Sequence, residues 1–147
     1  MTDIHFPIKV FFDSDVIMAG SGSASGASHL LLQLAEAGII DGIISRQVVR
    51  ECRRNIRDKL PEALTVFDKI ISRSVKIKNH PSPEIIFDLK GQAHPKDILI
   101  LASAVEAQAR FLLTFNIKHY NPSPRMRIVI IKPGDLLEKI REYFRLI

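Results

Sequence analysis

The chain is organised around Ile8-Lys9-Val10-Phe11-Phe12-Asp13-Ser14-Asp15-Val16. The run begins with β-branched and aromatic side chains, the mark of a strand buried within a sheet, and stops at two carboxylates separated by one small residue. Ligands of an open parallel sheet gather beyond the carboxyl ends of its strands. An acid at the end of a first strand therefore sets a search for partners supplied by remote parts of the chain.

Immediately downstream, Gly20-Ser21-Gly22-Ser23-Ala24-Ser25-Gly26 reads as a loop, with a helix beginning near Ala27. The loop lacks the Lys-Ser or Lys-Thr of a P-loop and the spacing of a dinucleotide fingerprint, so it receives no catalytic role. Leu30, Leu31, Leu34 and Ala35 recur at helical spacing as far as Gly38, a C-terminal stop. Ile39 to Ile44 form a second apolar run, and Ser45 is placed to cap the next helix.

That helix carries a charge pattern. At about 100° per residue, Arg46, Arg50, Arg53, Arg54 and Arg57 share one face, with Val49, Cys52 and Ile56 opposite or to the side. Glu51 stands on the border. The stripe fits a solvated face with Glu51 pairing to Arg54, and it also fits phosphate binding, for which guanidinium groups have the right charge and shape. We expect the second.

Pro61 opens a further helix with Ala63, Leu64, Phe67, Ile70 and Ile71 on its apolar face. Ser74 to Lys78 reads as a third strand with Val75 and Ile77 inward, and Glu84 to Leu89 as a short helix. Ala93-His94-Pro95-Lys96-Asp97 leads into a helix burying Ile98, Leu101, Ala102, Val105 and Ala109; Asp97 there could simply stabilise the positive helix end. Phe111 to Thr114 form a fourth strand ending at Phe115-Asn116, Arg127 to Ile131 a fifth, and Pro133 starts a last helix with Leu136, Leu137, Ile140 and Phe144 inward. Strands alternating with helices predict an α/β fold, a parallel sheet covered on both faces.

The 147 residues fit one domain, 1–147, with no repeat and no dividing linker. A composition of 46% hydrophobic and 25% charged residues is that of an ordinary globular protein. The formal charge of +5 suits an anionic partner such as nucleic acid, and equally a merely soluble surface. Cys52 is the only cysteine, which excludes an intramolecular disulfide and a cysteine-cluster metal site and suits a reducing cytoplasm. The start, Met1-Thr2-Asp3-Ile4-His5, has no signal-peptide pattern, and no run approaches the roughly 20 apolar residues of a membrane helix.

In a doubly wound sheet Asp13 follows the first strand and Asn116 the fourth, so both can face one crevice, toward which Glu51 and Asp97 can be aimed. Carboxylates gathered at one point repel one another unless a cation or protons intervene, and hard oxygen ligands suit Mg²⁺ or Mn²⁺. His94 and His119 read as hydrogen-bonding residues beside turns rather than metal ligands, and Phe115 and Tyr120 as packing groups.

Asp13-Ser14-Asp15, Val48-Val49-Arg50-Glu51, His94-Pro95-Lys96-Asp97 and Leu113-Thr114-Phe115-Asn116 together make the chain resemble the PIN domain nucleases, including toxins of type II toxin-antitoxin pairs. Each motif is short; their order and spacing carry the likeness across nearly the whole chain. The resemblance implies a three-layer α/β/α fold around a five-stranded, mostly parallel sheet in the order 3-2-1-4-5. It maps Asp13, Glu51 and Asp97 onto the family's metal-binding acids, with Asp15 as a further candidate, and Thr114 onto its small hydroxyl residue. It further implies hydrolysis of single-stranded RNA assisted by Mg²⁺ or Mn²⁺, RNA contacts from the arginine stripe, a homodimer, and a small antitoxin partner. The chain departs from the family in two places, with Asp15 where asparagine is frequent and Asn116 where aspartate is frequent. A non-cutting PIN-like domain that binds RNA or protein is the alternative.

Asp13-Ser14-Asp15-Val16 also looks like the first motif of haloacid-dehalogenase-type phosphatases. Lys139 stands where their last motif needs a second acid, and Glu51 and Asp97 would lack roles. A response-regulator receiver would need an aspartate after the third strand, where this chain reads Lys78-Asn79.

Overall fold

The computed structural model describes residues 5–23 and 25–145. The Met1-Thr2-Asp3-Ile4 stretch and Ala24 of the glycine-rich segment lie outside them. Five strands, β1 (Ile8–Phe12), β2 (Ile40–Ser45), β3 (Val75–Lys78), β4 (Phe111–Leu113) and β5 (Val129–Ile131), form one sheet in the order β3-β2-β1-β4-β5. All four pairings are parallel, so the expected order holds and the sheet is wholly rather than mostly parallel.

β1 lies at the centre because its residues are apolar on both faces: Val10, Phe11 and Phe12 are fully buried. Helices α1 (Ser14–Gly22), α2 (Ala27–Glu36), α3 (Arg46–Lys59) and α4 (Leu64–Ser74) connect β1 to β2 to β3. Helices α5 (Pro83–Asp88) and α6 (Ile98–Glu106) return the chain to β4, and α7 (Pro133–Arg145) follows β5. Right-handed crossovers put α1 to α4 on one face and the returning α5 and α6 on the other, because the direction of travel along the sheet reverses after β3. That reversal opens a crevice beyond the ends of β1 and β4.

Three local expectations are corrected. The glycine-rich segment is not all loop: α1 begins directly after Asp13 and includes Gly20, Ser21 and Gly22. A Cβ at Gly20 would stand 2.7 Å from Leu32 Cδ1 and 3.0 Å from the Ser28 backbone, so glycine is required where α1 crosses α2. Ile77 is 48% exposed because β3 is an edge strand. Phe144 is 43% exposed and stacks on Phe6 instead of entering the core, which α7 reaches through Leu136, Leu137 and Ile140.

Other signals act as expected. Gly38 adopts φ +87° after α2, and Ser45 Oγ accepts from Val48 N–H at 3.3 Å to cap α3, a bond worth about 1 kcal/mol.

Candidate functional site

Asp13 closes β1 and caps α1. Its backbone N–H donates to the Leu113 carbonyl of neighbouring β4, while its Oδ1 accepts from Ser14 N–H at 2.8 Å. Its Oδ2 accepts from Thr114 Oγ1 at 3.0 Å and from the Tyr120 hydroxyl at 2.9 Å. Thr114 is fully buried just past the end of β4, so the register of Phe12 with Leu113 brings it level with Asp13.

Asp15 lies in the first turn of α1 and reaches the same strand end. Its Oδ2 accepts from Phe115 N–H at 3.0 Å and from the Asn116 side-chain amide at 3.3 Å. Asp15 therefore braces the loop after β4, and Asn116 donates to it. The other oxygen, Asp15 Oδ1, is buried without a hydrogen-bond partner.

Glu51 enters from α3. Ser14 Oγ donates to Glu51 Oε2 and Gln47 Nε2 to Oε1, both at 2.9 Å, so neighbours other than Arg54 hold this carboxylate. Asp97 occupies the cap position of α6 yet makes no side-chain capping bond. Its Oδ2 instead meets His119 Nδ1 at 2.9 Å, which sets aside the purely helix-stabilising reading.

The arginine stripe is unevenly available. Arg46, Arg50, Arg54 and Arg57 are exposed. Arg53 is paired with Asp68 of α4, and Arg46 Nε donates to Asn79 Oδ1 at 2.9 Å. Cys52, on the opposite face, lies beneath Ser14; burial and the nearby Glu51, Asp13 and Asp15 push its thiol up to about 12.

Burial, then repulsion from Asp15, raises the Asp13 carboxyl from 3.8 to about 6, against the pull of the Ser14, Tyr120 and Thr114 hydrogen bonds. Asp15 is raised as well, by burial first and by Asp97 in addition. Burial and the charges of Asp13 and Asp97 push the Tyr120 phenol upward, so it stays a donor. Among the described residues no three acidic, histidine or cysteine side chains converge as metal ligands do. Mg²⁺ binds proteins through one or two carboxylates and keeps several waters, so adjacent Asp13 and Asp15 with one unpartnered oxygen suit it in number and hardness.

Ser14, His119 and Tyr120 enter the site without having been assigned to it from sequence. His119 and Tyr120 follow Asn116 by three and four residues. A buried tyrosine needs a partner for its hydroxyl, which is the signal that could have found Tyr120.

A doubly wound parallel sheet with buried carboxylates at its crevice defines a class of acidic-site α/β proteins. Residues 9–118 match the family model described as PIN domain, and the chain belongs to that family. Among solved structures, DNA-bound VapBC from Salmonella typhimurium is similar at 18% identity and a TM-score of 0.66, over 86% of this chain and 98% of that one. VapBC2 from Rickettsia felis bound to a DNA fragment from their promoter gives 18% and 0.63, over 85% and 98%. PAE2754 from Pyrobaculum aerophilum gives 14% and 0.65, over 93% and 98%. These likenesses show the fold. No curated protein matches.

Proposed function

We propose that this chain is a divalent-metal-dependent endoribonuclease acting on single-stranded RNA, and the toxin of a toxin-antitoxin pair. One observation carries the reading: Asp15 Oδ1 is buried without a partner beside Asp13, whose carboxyl is itself raised to about 6. Two adjacent acids, one buried and the other with an unpartnered oxygen, leave negative charge that a cation would offset. Asp13 and Asp15 would hold Mg²⁺ or Mn²⁺, and Asp97 and Glu51 would complete the site, as ligands or through the ion's water. A bound divalent ion lowers the pKa of a ligated water and offsets charge on the phosphate.

The chain's own side chains do the rest. Thr114 and Tyr120 orient Asp13, Ser14 orients Glu51, and Asn116 keeps Asp15 turned inward while its amide oxygen remains to accept a bond from water. Arg50, Arg54 and Arg57, exposed on α3, hold the flanking phosphates. An antitoxin partner is supported by the VapBC proteins that share the fold. A homodimer is supported by an open apolar recess of about 450 Å³ between Leu30 and Leu34 of α2 and Leu137 and Phe144 of α7. No described helix is long and apolar enough to cross a membrane, and the free Cys52 suits a reducing cytoplasm.

Asn116, amide where an acid would add charge, favours a second reading, an RNA-binding domain that does not cut. Membership of the PIN family leaves the phosphatase and receiver readings without support. Cleavage of a mixed unstructured RNA in Mn²⁺ or Mg²⁺ tests the proposal. Wild type should cut and Asp97→Ala should lose at least about 100-fold, the scale of a lost catalytic group. Equal cutting by both would refute the site; tight metal-independent binding with no cutting would establish the second reading.

A further inference from the structure

The short turn after β4 contacts two acids, Asp13 and Asp97, that come from well-separated parts of the sequence. Tyr120 donates its hydroxyl to Asp13 Oδ2, and the preceding residue, His119, holds Asp97 Oδ2 through Nδ1, each at 2.9 Å. The backbone reinforces both. His94 N–H donates to the His119 carbonyl at 2.7 Å, Asp97 N–H donates to the His94 carbonyl at 2.8 Å, and Ala93 forms an antiparallel bridge with Tyr120. The turn is thus tied to the segment that leads into Asp97 as well as to the carboxylate itself. Neither residue falls within the family match, which ends at 118.

We propose that His119 and Tyr120 form a positioning clamp that sets the distance and orientation between the Asp13 and Asp97 carboxylates. The inference rests on the metal-dependent reading above. Each acid is held through one oxygen by the clamp, which leaves its remaining capacity directed by the turn. A carboxylate oriented by a neighbouring donor binds metal more tightly than one free to rotate, because the outer partner fixes the ligand before binding. Asn116 supplies no charge at the start of this turn, so the placement of the remaining acids matters more. His119 serves here by holding Asp97, with no need to reach an ion.

Calorimetric titration of Mn²⁺ into wild type, His119→Ala, His119→Asn and Tyr120→Phe tests the clamp, with thermal unfolding of each protein free of metal as the structural control. His119→Ala and Tyr120→Phe should each weaken Mn²⁺ binding by about 10-fold or more, the range for loss of an outer-shell partner. His119→Asn keeps a donor near the Nδ1 position and should recover most of the loss. A packing role would not produce that recovery, since asparagine restores a donor to Asp97 Oδ2 but not the imidazole ring. RNA cleavage should lose kcat with KM nearly unchanged.

If His119→Ala binds Mn²⁺ as tightly as wild type, or His119→Asn as weakly as His119→Ala, the clamp is refuted while the metal site stands. If wild type binds no Mn²⁺, both fail. Should Tyr120→Phe not fold, the two His119 variants decide alone, because that side chain is 35% exposed and its removal leaves the core intact.

Discussion

Replacing Asp13 by asparagine should stabilise the metal-free protein, though it removes a residue at the heart of the site. Asp13 is 8% exposed and titrates at about 6 in the folded chain against 3.8 ordinarily. At about 1.4 kcal/mol per pH unit, folding with this group ionised costs about 3 kcal/mol. Because the folded value is the higher one, the stability linked to this group is fully present below about pH 4. It is lost as pH rises through about 6. The amide has the same shape and no charge, and the Thr114 and Tyr120 hydroxyls can turn to accept from it. At pH 7.5 in chelator, Asp13→Asn should therefore gain about 1 to 3 kcal/mol, or roughly 3 to 10 °C in melting temperature for a domain of this size. The gap should close by pH 4. Scanning calorimetry of both proteins across that range isolates the effect, since groups away from Asp13 titrate alike in both. Excess Mn²⁺ should reverse the ranking, because only wild type gains binding free energy. A variant no more stable than wild type at pH 7.5, or a gap that persists at pH 4, would refute the reasoning.

Three further outcomes follow from particular contacts. Gly20→Val should destabilise by about 1 to 3 kcal/mol in chemical denaturation, since even a Cβ collides with α2, whereas Gly22→Ala, with nothing within 4 Å of its Cβ, should be neutral. Arg54→Glu should weaken RNA binding and flatten its salt dependence by more than Arg53→Glu, because Arg53 is already paired with Asp68; filter binding across salt concentrations measures both. Cys52, buried with its thiol at about 12, should react with a disulfide reagent at pH 8 only after denaturation.

Much of the fold could be read from local signals because each agrees with its tertiary setting. Val10-Phe11-Phe12, apolar on both faces, belongs in a central parallel strand, and Gly38 and Ser45 end and start helices by backbone conformation and capping. α1 escaped because Gly20 and Gly22 disfavour a helix by intrinsic propensity, and only the close crossing with α2 makes glycine favourable at residue 20. Ile77 and Phe144 look like core residues by type, but whether a strand is an edge, and what covers a helix end, are decided by neighbours. In the site, the acids Asp13, Asp15, Glu51 and Asp97 were visible as residue types at strand ends and helix starts. Their partners were not. A hydroxyl from Tyr120 reaching Asp13 is set by how the turn packs across 107 residues of sequence separation, which no periodicity encodes. The arginine stripe was visible as a face, yet the Arg53–Asp68 pair depends on α4 lying beside α3.

On the proposed function, the orphaned oxygen of Asp15 and the raised carboxyl of Asp13 mark one metal position. A crystal structure of the wild-type protein soaked in Mn²⁺, with anomalous scattering used to place the ion, tests it most directly. A peak should appear within ~2 Å of Asp15 Oδ1 and of an Asp13 oxygen, the bond length of hard octahedral cations. Manganese bound elsewhere, with Asp15 Oδ1 still unpartnered, would contradict it.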